Sequence, residues 1–206
     1  MATYLQMQQE VLAYGFDTNT YQARVKNWLN EAQSRIARSV EILDLYTQSN
    51  IVTVAGTSSY ALPADCITVD GIADPPFFSD TWFEPQYKIL LAKISANPVV
   101  SGHPTEYSVT ATSIVFYPVP DLVYTLVLTY YKRPTDLSAD GDISILPIDY
   151  HDVMVSYALQ RAYRAEDDVQ MAQFYRNEFI QGLRDLASDT KGAVSDAPRQ
   201  VRGTWG

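Results

Sequence analysis

The sequence predicts an α+β protein in which a bundle of helices, built from both ends of the chain, carries an inserted β-rich domain. Apolar residues recur at helical spacing near both ends, whereas β-branched residues, tyrosines and turn formers dominate the middle. We assign residues 1–50 and 135–189 to the bundle, 51–134 to the inserted sandwich- or barrel-like domain, and 190–206 to an extended tail.

Two helices are predicted before the β-rich region. Thr3 and Gln6 have the spacing of a capping box, and apolar residues follow at steps of three and four until Gly15. Asn19 and Gln22 repeat that spacing at the start of a longer helix. Its apolar stripe consists of Tyr21, Val25, Trp28, Leu29, Ala32, Ile36, Val40 and Leu43, and its opposite, solvated face carries Arg24, Glu31, Arg35 and Arg38.

The middle of the chain contains the predicted strands. Ser113–Tyr117 and Val123–Tyr131 flank a Pro118–Asp121 turn, and we interpret them as a hairpin. Shorter strands are predicted at Ile51–Val54, Ser59–Leu62 and Ile67–Ile72, and a small helix at Pro85–Ile94.

Two further helices are predicted after the β-rich region. Asp149 can cap the first of them, and either Asp167 or Asp168 can open the second. The stretch from Thr190 to Gly206 has no periodic pattern, so we expect an extended tail.

Acidic residues outnumber basic ones, with 24 Asp and Glu against 15 Lys and Arg and a net charge of −9. This charge balance disfavours nonspecific electrostatic binding to nucleic acid or to an anionic membrane. No apolar run approaches the ~20 residues of a membrane span, and the first residues do not resemble a signal peptide. Cys66 is the single cysteine, so we expect no internal disulfide and folding in a reducing cytoplasm.

Residues that could support catalysis are few. His103 lies in a Gly-His-Pro turn and His151 in the first turn of a predicted helix, and we interpret both as structural. Cys66 follows Asp65 in an apolar strand context typical of a buried small side chain. The sequence contains no phosphate loop, paired cysteine motif or metalloprotease motif, so we expect no cofactor and no enzymatic activity.

The segment Asp136–Ser144 matches part of a calcium-binding loop. Its twelfth position, which should be a glutamate, is Pro147, and a predicted strand rather than a helix precedes it. We therefore interpret the segment as a polar connection in which aspartates satisfy the backbone of a turn.

Two other functions stay open at this point. Trp82, Phe83 and Tyr87 lie in the acidic β-rich region, where an exposed flat platform would favour a carbohydrate- or receptor-binding module of a virion. A pair of carboxylates in a cleft would instead favour a glycoside hydrolase.

The order of motifs along residues 1–190 resembles that of the head-to-tail adaptor (connector) proteins of tailed bacteriophages. Those motifs are the N-terminal helix pair, Ser59–Asp65, Tyr107–Val109, Ile114–Asp121, Leu128–Pro134, Leu137–Ser138, Leu146–Pro147, Tyr157–Ala158 and Glu166–Asp167. The resemblance implies a non-enzymatic virion protein of the neck, assembled in the host cytoplasm as a dodecameric ring. Such a ring joins the portal protein to the tail nozzle or tail tube, and DNA passes through its lumen.

The charge balance agrees with such a conduit, because walls with few cations would not hold a passing polyanion. The tail contains Arg199, Arg202 and Trp205, the residue types that are enriched in interface anchors. Our hypothesis is that these three residues bind the portal and that the tail becomes ordered only there.

Overall fold

The computed structural model describes residues 2–73, 84–85 and 100–195, with backbone alone at 84–85 and 191–195. The chain divides into a unit made of residues 1–43 and 134–206 and a unit made of residues 44–133. In their described parts the first unit is helical and the second is built mainly of strands. This mixture of helices and strands confirms the α+β prediction.

The helical unit begins with two helices that the sequence predicts. Helix α1 spans Tyr4–Ala13, and the capping box is confirmed, because the Thr3 hydroxyl accepts the Gln6 N–H while the Gln6 side chain accepts the Thr3 N–H. Helix α2 spans Thr18–Ser39. Its apolar stripe packs into the core, where Val25, Leu29, Ala32 and Ile36 are fully buried.

Both ends of α2 differ from the prediction. The cap is Asp17, whose carboxylate accepts the Thr20 N–H at 2.9 Å, rather than Asn19. The helix ends at Ser39 because Val40 has extended backbone angles. Leu43 therefore lies in a 3-10 turn, Leu43–Leu45, with 58% of its surface exposed, and does not extend the stripe.

Helices α3 and α4 span His151–Ala165 and Val169–Ser195. Asp149 does not cap α3, because it lies in a preceding 3-10 turn, Ile148–Tyr150, and Tyr150 occupies the cap position without a side-chain bond. Asp168 does open α4, accepting the Met171 N–H at 3.0 Å. Because α4 continues to Ser195, residues 190–195 are helical, and the predicted extended tail was wrong for them.

The second unit contains two sheets in its described part. The first has the order β1-β7-β3 and the second the order β2-β6-β5-β4, with neighbouring strands antiparallel except for β4 and β5. The strands are β1 Tyr46–Val52, β2 Ser59–Ala61, β3 Cys66–Ala73, β4 Glu84–Pro85, β5 Glu106–Val109, β6 Ser113–Tyr117 and β7 Thr125–Lys132. Both sheets contribute to one apolar cluster, with Ile72, Leu126 and Leu128 from the first and Ile114 and Phe116 from the second.

The predicted hairpin was wrong, although both of its strands form. Strand β6 pairs with β2 and β5, whereas β7 pairs with β1 and β3. The intervening segment binds elsewhere: the Val119 N–H donates to the Val100 carbonyl at 3.0 Å, and the Val119 carbonyl accepts the Gly102 N–H at 2.9 Å. The chain therefore passes from one sheet to the other instead of turning back.

Two smaller predictions in this unit also change. Strand β1 begins at Tyr46, earlier than the predicted Ile51. Pro85 belongs to β4, so the small helix predicted at Pro85–Ile94 does not start there, and the remainder of that segment lies outside the described residues. Nowhere in the described chain is a helix both long and apolar enough to cross a membrane.

Candidate functional site

The two histidines and the cysteine that were considered for catalysis are in environments typical of structural residues. His151 is 4% exposed, and its Nε2 lies 3.1 Å from the Leu146 carbonyl oxygen. The His103 ring packs edge-on against Tyr124. Cys66 is half-buried on β3, where burial, together with the nearby Asp65 charge, raises the pKa of its thiol. A raised thiol pKa disfavours the reactive thiolate.

The acidic loop before α3, which contains Asp136, Asp140 and Asp142, forms hydrogen bonds with the first residues of α1. The Asp142 carboxylate accepts the N–H groups of Ser138 and Ala139 at 2.7 and 2.8 Å, which lower the pKa of Asp142. The Asp142 and Asp140 carbonyls accept the N–H groups of Tyr4 and Leu5, which have no partner within α1. For Asp142, its two side-chain bonds confirm the interpretation that aspartates of this loop satisfy the backbone of a turn.

Across the residues that the structure describes, no group of histidines, cysteines and carboxylates could hold a metal ion. In the loop itself, the Asp142 carboxylate is occupied by the bonds of the turn, and the Asp140 carboxylate lies 3.8 Å from the Lys26 ammonium.

Two polar side chains of α2 hold the same loop from its other side. The Asn30 amide donates to the Leu137 carbonyl at 3.0 Å and accepts the Leu137 N–H at 2.8 Å. Gln33, which is buried, donates to the Thr135 carbonyl at 2.9 Å and accepts the Ser144 hydroxyl at 2.7 Å. The loop and α2 therefore form one hydrogen-bonded structure.

An open cleft of about 570 Å³ lies between α2 and α4. We call it the arginine cleft; its lining residues are Glu31, Ser34, Arg35, Arg38, Ser39 and Phe179. Five of these six residues belong to α2, and Phe179 belongs to α4. Phe179 is 8% exposed and packs on Tyr157 of α3, so the cleft combines a fixed apolar base with charged walls.

Three side chains converge on the Glu31 carboxylate. Its oxygens lie 3.1 Å from the Arg35 guanidinium and 3.6 Å from that of Arg161, and it accepts the Tyr157 hydroxyl. Burial raises the pKa of Glu31, but the Tyr157 bond and the two guanidiniums outweigh burial, so the pKa lies below its usual value. Burial and the Glu31 carboxylate raise the pKa of Tyr157 to about 12. Glu31 is therefore ionised and Tyr157 protonated at neutral pH.

Positive charge exceeds negative charge at this cleft. Arg35 and Arg161 share the single carboxylate, and Arg35 also lies over the Tyr157 ring, 5.3 Å from its centroid. Arg38 is exposed and makes no ion pair with any described residue. Exposed guanidiniums beside an apolar base can bind carboxylates in a fixed geometry. The arrangement offers binding chemistry rather than a nucleophile with its base.

A comparison with known families connects this helical scaffold to a function. The family model described as SU10 adaptor protein matches residues 2–202. The chain belongs to this family. The adaptor is thus a structural protein of a bacteriophage, in a family that is not an enzyme class, and a component of the virion neck. The resemblance drawn from the order of motifs is confirmed. No curated protein matches the adaptor.

The remaining predicted site residues of the adaptor lie outside the described part of the chain. This holds for Arg199, Arg202 and Trp205, predicted to bind the portal, and for Trp82, Phe83 and Tyr87, predicted as a possible binding platform. Sequence reasoning missed the arginine cleft, since it assigned Arg35 and Arg38 to a solvated face. Only the spacing of Glu31 and Arg35, four residues apart, was a usable signal.

Proposed function

We propose that the adaptor assembles as a dodecameric ring between the portal protein and the tail nozzle or tail tube, and that DNA passes through the lumen of this ring. The observation that carries the proposal is the family match over residues 2–202. A ring needs two different faces on each subunit for heterologous contacts. The helical unit offers a candidate for one of these faces, the arginine cleft with its exposed guanidiniums.

The distribution of charge supports the passage of DNA. Residues 51–130 contain seven acids and only two bases, Lys88 and Lys93, within a chain of net charge −9. Each lysine or arginine that contacted a phosphate would add salt-dependent affinity for DNA. An acidic surface therefore favours the sliding of DNA through the ring. We therefore propose that some of the excess carboxylates line the lumen.

Portal binding is assigned to the C-terminal residues Arg199, Arg202 and Trp205. After the end of α4 at Ser195, the remaining residues could extend for about 35 Å if fully stretched. An arginine pair with a tryptophan is a composition typical of interface anchors. The virion neck is then the final location, after assembly in the host cytoplasm.

The mass of the purified chain, measured alone and then with portal rings of the same phage, tests this function. We expect a complex in which the copies form a closed ring on the portal. Failure to co-sediment with portal rings, or attachment of single copies without a ring, would contradict the proposal. An experimental structure of the ring would then show which charged side chains line the lumen. A basic lumen would contradict free passage of DNA.

A further inference from the structure

The arginine cleft has more positive charge than the carboxylates of the described residues neutralise. Glu31 is shared between Arg35 and Arg161, and no described carboxylate pairs with Arg38. Arg35 and Arg38 are both exposed and are separated by about one helical turn, so their side chains lie some 5–6 Å apart at Cβ. The cleft is therefore suited to a ligand with two carboxylates at a similar spacing.

Helix α4 has a row of carboxylates on another face. Glu178, Asp185 and Asp189 are exposed, and their spacing places them within about 40° of one another around the helix. We call these three residues the acidic stripe. The Gln181 amide donates to Asp185 at 2.9 Å, and the Tyr150 hydroxyl donates to Asp189. These bonds orient two of the three carboxylates, and none of the three is paired with a cation among the described residues.

The stripe does not neutralise the cleft of the same copy. Glu178 and Phe179 differ by about 100° around α4, and Phe179 faces the cleft. No described carboxylate of the stripe forms an ion pair with Arg35, Arg38 or Arg161. Asp185 and Asp189 are also separated by about one turn, which matches the separation of the two exposed arginines.

We propose that the arginine cleft of one copy binds the acidic stripe of α4 in the neighbouring copy. The contact joins two different surfaces, so each copy uses its cleft on one side and its stripe on the other. Such a heterologous contact repeats from copy to copy and closes a ring when the rotation permits. This inference rests on the proposed ring and names the residues that hold it together.

Charge reversal in the full-length chain tests the pairing. Arg38→Glu places a carboxylate in the cleft, and Asp185→Arg places a cation on the stripe. Each change alone should abolish ring formation or raise the concentration needed for half-assembly at least tenfold, because like charges then meet in every contact. The chain with both changes should recover rings, since each contact again joins opposite charges.

A mixture of the two single variants gives an independent readout. One type of mixed contact joins the unchanged cleft to the unchanged stripe, and the other joins Arg38→Glu to Asp185→Arg. The mixture should therefore form rings in which the variants alternate, detectable by native mass spectrometry as equal numbers of each. Arg24→Glu makes the same charge change elsewhere on α2, and we expect it to leave ring formation unchanged.

The outcomes separate this inference from the proposed function. If the unchanged chain forms no ring, alone or on the portal, the proposed function fails and this inference fails with it. If the unchanged chain forms rings and both single variants do so at the same concentration, only the pairing is wrong. Loss of rings without recovery in the doubly changed chain also overturns the pairing. Circular dichroism of each variant confirms that it is folded.

Discussion

Gly182 of α4 lies against Val153 of α3. A Cβ built at this position would overlap Cγ2 of Val153 and lie 3.2 Å from Cγ1 of the same residue. Overpacking of this kind lowers stability by about 1–3 kcal/mol. The higher helix propensity of alanine over glycine offsets up to about 1 kcal/mol of that loss. We expect Gly182→Ala to lower the free energy of unfolding of the helical unit, measured by urea titration.

Two further variants identify the cause of that loss. Gly141→Ala adds the same methyl group where nothing lies within 4 Å, so it should leave stability unchanged. Val153→Ala combined with Gly182→Ala removes the overlapping methyl groups and should restore part of the loss. If Gly182→Ala is as stable as the unchanged chain, close packing of these two helices does not constrain this position.

Asp142 links the stability of the acidic loop to pH. Its pKa is lowered from an ordinary value of 3.8 by the Ser138 and Ala139 N–H groups. A carboxyl whose pKa is lower in the folded state stabilises that state above its ordinary pKa, and the contribution is lost as the pH falls through the lowered value. We expect Asp142→Asn to reduce stability at neutral pH and the difference from the unchanged chain to shrink below about pH 4.

Urea titrations across this pH range provide the measurement. Glu10→Gln is the matched control, because Glu10 is exposed on α1 and makes no hydrogen bond within the described structure. A difference between Asp142→Asn and the unchanged chain that stays constant as the carboxyl titrates would show that the turn does not depend on the ionised group.

At the scale of elements, Asn30 is one of the two α2 side chains that attach the loop, the other being Gln33. Asn30→Ala leaves both the N–H and the carbonyl of Leu137 without their side-chain partner. Loss of a partner from partly buried backbone groups costs about 1–3 kcal/mol. We expect this loss of stability together with faster hydrogen exchange at the Leu137 amide.

Asn27→Ala is the control for this variant. It changes an exposed residue of the same helix and should change the free energy of unfolding by no more than about 0.5 kcal/mol. An unchanged exchange rate at Leu137 would show that the Asn30 bonds do not protect this amide.

The helices were predictable because their signals are local. Thr3 and Gln6 are three residues apart, and the stripe of α2 repeats within each turn of one helix. Helix ends were harder to place. Asp17 and Asn19 are both good caps in sequence, and only the backbone angles at the start of α2 distinguish them.

Strands were also located, but their partners were not. The pattern in Ser113–Tyr117 describes a single strand and contains no information on whether β2 or β7 pairs with it. The start of β1 shows a related difficulty, because Tyr46–Asn50 is mostly polar and half-exposed. Its register is supplied by β7, where Tyr46 lies opposite Tyr131. Pairing between residues so distant in sequence follows from the assembled sheet rather than from local pattern.

At the scale of the whole molecule, the order of motifs predicted the family, whereas the candidate site required the fold. Glu31 and Arg35 are close in sequence, but Tyr157 and Arg161 reach the same carboxylate from α3. That convergence depends on how the two ends of the chain pack into one helical unit. Charge composition, by contrast, needed no structure, because the excess of carboxylates is a property of the whole chain.

The tail provides the last prediction at this scale. Ending the chain at Ser195 removes Arg199, Arg202 and Trp205 but leaves α4 complete. The melting temperature should therefore stay nearly unchanged, while co-sedimentation with portal rings should be lost. A chain of full length with residues 196–206 replaced by glycine and serine controls for length, and it should fail in the same way because its anchor side chains are missing. Undiminished co-sedimentation of either variant would show that the portal is bound by another part of the adaptor.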